Sequence, residues 1–277
     1  MIKEKAYAKL NLSLSVLGKM DNGFHKLETI MVPIDLYDTL CFEKNNTNEM
    51  VLIDNKIENN SIIRAAKLFQ EKYKIGGATI RLKKRIPLEA GLGGGSADSS
   101  ATLRGLNRLF KLNIPLKELE ELAKELGSDN VFCLYNRAAI CRGRGELLEF
   151  IDFDFNFDVL LIKPSFGLST KEVFTNLEYI ENKKDITKIL EALKQNDYVL
   201  LEENMFNDLL VPAKKVNNEI LSFIEKIKGF NVKPFMSGSG TTFFVLIRDK
   251  KSIKQLKKVF KNEFFKITSF KSAIMIE

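Results

Sequence analysis

The sequence predicts an α+β protein of two domains, and three observations carry that prediction. At 277 residues the chain is about twice the length of a usual ~150-residue domain. Strand-like and helix-like stretches are interleaved without the regular strand-helix-strand order of a doubly wound sheet. A glycine cluster, Gly91-Leu92-Gly93-Gly94-Gly95-Ser96, runs directly into a helical pattern, which marks a loop with a task.

Residues 6–16 alternate Ala6, Ala8, Leu10, Leu12, Leu14 and Val16 with Tyr7, Lys9, Asn11, Ser13 and Ser15, the period-two pattern of a strand with one buried face. An Asp21-Asn22-Gly23 turn follows, and Phe24 to Leu36 reads as a second extended segment ending near Pro33. Asn60 or Ser61 can cap a helix through about Tyr73, with Ile62, Ala65, Ala66 and Phe69 on one face, until Gly76-Gly77 stops it. Residues 78–86 return to alternation, and Pro87 introduces the glycine loop. Beyond it Ala97, Ala101, Leu103, Leu106 and Phe110 recur at helical spacing. A helix is expected over 116–126, β structure over 140–150 and a strand over 157–162, with a domain boundary near 152. Helices are then expected over 170–178, 185–195, 198–209 and 213–227, followed by a strand over 241–248, a helix over 251–262 and a final strand.

Composition excludes several classes. Hydrophobic residues make up 45% and charged residues 29% of the chain, which is ordinary for a globular protein and unlike disordered, collagen-like or coiled-coil chains. No run of eighteen apolar residues occurs, and the opening MIKEKAYAKL has no apolar signal-peptide core, so a cytoplasmic protein without a membrane partner is expected. Cys41, Cys133 and Cys141 form no C-x-x-C pair, which suits a reducing compartment. A single histidine, His25, rules out sites that need two. The net charge of +7 suits an anionic partner, but the lysines are scattered and read as general solubility rather than a nucleic-acid tract.

The glycine loop is the most informative segment, because glycines let backbone N–H groups approach an anion and the following helix adds the positive end of its dipole. It is neither a G-x-x-x-x-G-K-[ST] nor a G-x-G-x-x-G motif. Lys9 and Asn11, two apart on the first strand, share the face opposite the leucines; on a solvent face they would mean nothing. Asp129, in the Gly127-Ser128-Asp129 turn, sits where an acid is usually a cap or turn residue. Ser237-Gly238-Ser239-Gly240 is a second glycine-rich turn.

In this order the first-strand lysine, Pro87-x-x-Ala90-Gly91-Leu92-Gly93-Gly94-Gly95-Ser96, Gly127-Ser128-Asp129 and Gly238-Ser239-Gly240 resemble the pattern of the GHMP kinase superfamily. AKLNLSLSVLGKMDNGFHKLET, GLGGGSADSSATLRGLN and LGSDNVFCLYNRAAICRGRGE carry the resemblance, whereas 175–230 contribute little. It implies a two-domain fold, here 1–152 and 153–277, with the active site in the cleft between the domains. The implied activity is ATP-dependent, with Mg²⁺ among the phosphates. The implied acceptor is the 2-hydroxyl of a cytidine diphosphate-linked methylerythritol, a small-molecule substrate of the non-mevalonate isoprenoid route, and the products are the 2-phosphate and ADP. A monomer or weak homodimer is expected, with no nucleic-acid partner. A kinase of homoserine or a mevalonate derivative is the second reading; an RNA-binding protein without kinase activity is the third.

The resemblance also implies roles. Pro87, Ala90, Gly91, Leu92, Gly93, Gly94, Gly95 and Ser96 would hold the ATP phosphates, and Asn60 would lie on the adenine side. Asp129 would take the proton from the acceptor hydroxyl, Lys9 would hold both in position, and Asn11 would contact the same alcohol. This agrees with phosphoryl transfer, which asks for positioning and charge neutralisation and one carboxylate to receive a proton. Phe24 would stack on the cytosine and His25 would hydrogen-bond it, with Phe174 and Thr170 supplying a second aromatic and a polar contact. Arg144 would reach the diphosphate as a bidentate donor. The Mg²⁺ ligands stay unassigned. Where relatives often have a proline just after the acidic turn, this chain has Asn130-Val131.

Overall fold

The computed structural model describes residues 1–21, 23–53, 60–178 and 184–275; Asn22 of the expected 21–23 turn lies outside them. The chain opens with β1 (Ile2–Lys19), β2 (His25–Lys44), β3 (Met50–Ile53), α1 (Ser61–Tyr73) and β4 (Ala78–Lys83). The glycine loop leads into α2 (Gly94–Phe110), then α3 (Leu116–Leu126), α4 (Asn130–Tyr135) and the hairpin of β5 (Ala139–Gly143) and β6 (Leu147–Phe150). The second half begins with β7 (Phe157–Lys163), α5 (Thr170–Thr175), α6 (Thr187–Gln195), α7 (Tyr198–Asn204) and β8 (Phe206–Asn207). It continues through α8 (Leu210–Val216), α9 (Glu219–Lys228), β9 (Phe235–Met236), β10 (Phe243–Leu246), α10 (Lys250–Val259) and β11 (Phe264–Phe270).

The expected α+β class holds, and β1 and β2 are its spine. They pair antiparallel from Ile2↔Phe42 to Lys19↔His25. β2 then pairs with β5 over Leu27–Met31 and with β4 over Thr39–Lys44. A single pairing, Ile34↔Phe270, joins this sheet to β11, β7, β10 and β9, so the described strands form one eleven-stranded sheet. The expected end near Pro33 is wrong. The strand continues to Lys44, and Pro33 sits where the β1–β2 register is interrupted between Tyr7 and Lys9, a place where a missing N–H costs no ladder bond.

The expectation of one buried face on β1 is also overturned. Lys9, Asn11, Ser13 and Ser15 are as buried as the leucines opposite them, because loops from other parts of the chain cover their face. Leu10 and Leu12 pack in one core cluster with Ile34, Phe42 and Phe157, and Leu14 and Val16 in another with Leu160 and Phe243. β1 thus contributes to both cores. Each fully buried Leu or Phe in them contributes roughly 1.5–3 kcal/mol by removing apolar area from water. α2 lies so close to β2 that a Cβ on Gly105 would come within 2.7 Å of Phe42 Cζ, which accounts for a glycine inside a helix despite its cost of about 1 kcal/mol.

Two helical expectations need correction, and one helix was not expected. The helix expected over 198–209 ends at Asn204, because Phe206 and Asn207 pair in parallel with Ser13 and Leu14. The helix expected over 213–227 is two, α8 and α9, separated at Asn217 and Asn218. The segment after Asp129 forms the unexpected short helix α4. Among the described residues no helix is long and apolar enough to cross a membrane.

Candidate active site

The buried polar face of β1 holds a short chain of hydrogen bonds. Lys9 Nζ donates to Asn11 Oδ1 at 2.5 Å. Asn11 Nδ2 donates to Thr29 Oγ1 on β2 at 2.8 Å, and Thr29 Oγ1 donates to the Ser13 carbonyl at 2.5 Å. The alternation that sets Lys9 and Asn11 on one face therefore has a physical result: their side chains are locked to each other and to the neighbouring strand. A buried lysine needs an anionic or strongly polar partner, and Lys9 Nζ also lies 3.5 Å from Asp129 Oδ2.

Asp129 occupies the N-cap position of α4, yet its side chain makes no capping bond. The expected structural use of such an acid is thus absent, and the carboxylate turns to Lys9 instead. Its side chain is 29% exposed, against 4% for Lys9, so one side of it faces the cleft.

The glycine loop is clamped between β1 and the Ser237–Gly240 turn. The Lys9 N–H donates to the Leu92 carbonyl at 3.0 Å, and the Thr242 N–H donates to the Ala90 carbonyl at 3.1 Å. Ser237 Oγ donates to the Gly91 carbonyl at 3.0 Å. Gly91 and Gly93 take φ of +68° and +70°, angles that side-chain-bearing residues avoid. A Cβ on Gly93 would also lie 3.0 Å from Lys9 Cγ. With Gly93 as its N-cap, α2 starts without a side-chain cap, which leaves the N–H groups of its first turn and its dipole to an anion.

At the other end of the cleft the side chains are aromatic and more open. Phe24 is 51% exposed, and the Arg144 guanidinium lies 5.1 Å from its ring centroid. Arg144 Nε is 3.6 Å from Glu146 Oε1. His25 stacks on Phe174 of α5, with centroids 4.9 Å apart at 29°. Burial, helped by Lys19, holds the His25 imidazole below its ordinary pKa, so the ring is neutral near pH 7 and offers one donor and one acceptor. Thr170 Oγ1 lies 2.8 Å from Ser239 Oγ, which ties α5 to the second glycine turn.

One cleft of about 1220 Å³ is lined by Lys9, Asn11, Phe24, His25, Pro87, Ala90, every residue of the glycine loop, Asp129, Arg144, Thr170 and Phe174. Asn60 is the exception among the expected residues. It caps α1, its Oδ1 accepting from the Ile62 N–H at 2.8 Å, and its neighbours Ser61 and Arg64 line the cleft in its place. Six cationic residues, Lys9, Lys19, Arg64, Lys84, Arg144 and Lys171, line the cleft against Glu89 and Asp129. Part of the basic excess that looked scattered in the sequence is therefore gathered here.

Sequence reasoning missed the group beneath the loop. Lys84 Nζ lies 2.6 Å from both Asp38 Oδ2 and Asp98 Oδ2, and Asp38 Oδ1 accepts from the N–H groups of Arg85 and Ile86. Burial, with the nearby Asp38 carboxylate and against the pull of Lys84, pushes Asp98 up to about 7. Burial alone would lower Lys84, but the two carboxylates outweigh it and raise its pKa. A signal was available: Lys84 directly follows β4 and Asp98 lies five residues into α2, so the loop between them must bring the two together.

Two family models match the chain, GHMP kinases N terminal domain over residues 60–137 and GHMP kinases C terminal over 189–267. A 4-diphosphocytidyl-2-C-methyl-D-erythritol kinase of Macrococcus caseolyticus is 40% identical, aligning 92% of this chain with 94% of that protein. The protein of the same name from Thermoanaerobacter pseudethanolicus is 36% identical across 100% of this chain and 99% of its own. Among solved structures, a 4-(cytidine 5'-diphospho)-2C-methyl-D-erythritol kinase superposes with a TM-score of 0.84 at 29% identity, covering 98% of this chain and 99% of that one. A homoserine kinase from Cytophaga hutchinsonii superposes at 0.75 with 18% identity, covering 100% and 97%, a likeness of fold alone.

Proposed function

The chain belongs to the GHMP kinases, and we propose that it is the ATP-dependent kinase that phosphorylates the 2-hydroxyl of 4-diphosphocytidyl-2-C-methyl-D-erythritol, giving the 2-phosphate and ADP for isoprenoid synthesis. Within the cleft, one observation supports this acceptor over homoserine or mevalonate derivatives: a glycine loop and a Lys9–Asp129 pair at one end, and Phe24, His25 and Phe174 at the other. The latter group has no use for an acceptor that lacks a base.

In this reading residues 1–152 form the domain that carries the loop and the catalytic pair, and 153–277 the domain that closes the cleft. The N–H groups of the loop and of the first turn of α2 receive the ATP phosphates, with Ser61 and Arg64, next to the capping residue Asn60, on the adenine side. Asp129 accepts the proton of the acceptor hydroxyl as that oxygen attacks the γ-phosphorus in line and ADP departs. Lys9 bridges Asp129 and Asn11, leaving its third N–H for the reacting oxygens, whose developing charge it offsets. Asn11 orients the alcohol. Phe24 and Phe174 flank the cytosine and neutral His25 reads its polar edge, with Thr170 beside it; stacking tolerates any base, so the edge contacts supply the preference. Arg144 meets the diphosphate.

Mg²⁺ fits this cleft as a passenger of the nucleotide. Nucleotide-bound Mg²⁺ takes most of its oxygens from phosphates and water, and the Ser96 hydroxyl, which lines the cleft on the phosphate loop, would supply one more. When bound, it neutralises the β- and γ-phosphates. The three free thiols support a reducing, cytoplasmic location, and we expect a monomer or weak homodimer that binds no nucleic acid.

The test is ADP release with Mg²⁺ and ATP, comparing the cytidine acceptor, homoserine, mevalonate derivatives and no acceptor. Turnover confined to the cytidine compound is expected. A folded protein that binds ATP and uses only a base-free acceptor contradicts the assignment.

A further inference from the structure

Asn130 follows Asp129 directly. It is the first residue of α4 and borders the cleft, yet it is only 2% exposed. Its Nδ2 donates to Ser99 Oγ on α2 at 2.5 Å, and its carbonyl accepts from Ser100 Oγ at 2.8 Å. Ser99 Oγ faces the carbonyls of Gly95 at 3.0 Å and Ser96 at 3.1 Å. A hydroxyl that accepts from Asn130 still has its one proton to donate, so an unbroken path of hydrogen bonds runs from the residue beside Asp129 to the phosphate loop. Breaking it strands a buried amide without a partner, which is costly; the path therefore has one favoured arrangement.

Asp129 needs such support. Its carboxylate makes no bond to its own helix, and its salt bridge to Lys9 is a loose 3.5 Å. In-line transfer tolerates little error, and a misplacement of about 1 Å can cost about 100-fold in rate. We propose that Asn130 is a positioning residue that, through Ser99, fixes the Asp129 carboxylate at a set distance from the phosphate loop. Nucleotide binding at the loop is then felt at the base, because both hang on the same hydroxyl. This rests on the kinase reading of the same cleft.

The test uses Asn130→Val, Ser99→Ala and the double variant. Each single change is expected to lower kcat about 10- to 100-fold with KM for ATP within about threefold. The double variant is expected to match the weaker single within about threefold, since both remove one bond. Ser99→Thr, which keeps the hydroxyl, should recover most of the rate. Full kcat in both singles, or losses that multiply, overturn the proposal. A second measurement needs no acceptor: the Cys133 N–H, which donates to the Asp129 carbonyl at 3.0 Å, should gain at least about tenfold hydrogen-exchange protection when a non-hydrolysable ATP analogue binds the natural chain, and not in Ser99→Ala. An equal gain in both overturns the path. If that difference appears and no acceptor is phosphorylated, the path stands and the acceptor assignment falls.

Discussion

The two ends of the cleft are built differently. At the phosphate end, Lys9, Asn11, Asp98 and Asn130 are all 3% exposed or less, and each is bonded to a residue far away in sequence. At the base end Phe24 is 51% exposed and rings lean on each other or on Arg144. The first end is assembled by folding itself, because its bonds are also core bonds. The second has stacking surfaces that rest on one another until a flat ligand takes over. The contrast teaches that rate and selectivity are separable here: damage at the buried end should appear in kcat or ATP binding, and damage at the aromatic end in KM for the acceptor.

Substitutions can break or sharpen that contrast. Lys9→Met keeps the length of the side chain and removes its charge, so kcat should fall by about 100-fold or more with the acceptor KM little changed; a rise confined to that KM would merge the two ends. Gly93→Val places a branched side chain at φ +70° and against Lys9, and strain of about 1–3 kcal/mol should weaken ATP about 10- to 100-fold in calorimetric titration. Unchanged ATP affinity would remove the loop from the site. Phe24→Ala should raise the acceptor KM about tenfold, in line with about 1–3 kcal/mol per stacked base, and leave KM for ATP alone. Equal effects on both would sink the stacking role.

The smallest effect concerns pH. Asp98, pushed up to about 7, binds its proton more tightly folded than unfolded, so its contribution favours the fold in acid and is lost as pH rises from about 4 through 7. Asp98→Asn removes that titration, and the drop in Tm between pH 5 and pH 8 should be smaller in the variant. An identical drop would show that Asp98 is ionised throughout.

Much of the phosphate end was legible in the sequence because its signals are local: alternation placed Lys9 with Asn11, four glycines before a helical pattern marked the anion site, and Asp129 stood in a turn. What local pattern could not show was burial on both faces of β1, which depends on distant segments covering it: the glycine loop at Leu92 and the Gly238 turn. α4 was missed because six residues are too few for periodicity to register. Asp38 and Asp98 carry no local signal in the sequence; only the fold sets Lys84 between them. The base end was legible only through family resemblance, since an exposed Phe-His pair after a turn has no physical signature of its own.

The most direct test of the account is Asp129→Asn, with turnover of the cytidine acceptor and binding of an ATP analogue measured on the same preparation. Loss of a general base that is already positioned predicts a fall in kcat of about 1000-fold with analogue affinity unchanged within about threefold. Retained turnover, or loss of turnover that simply follows loss of nucleotide binding, would contradict it.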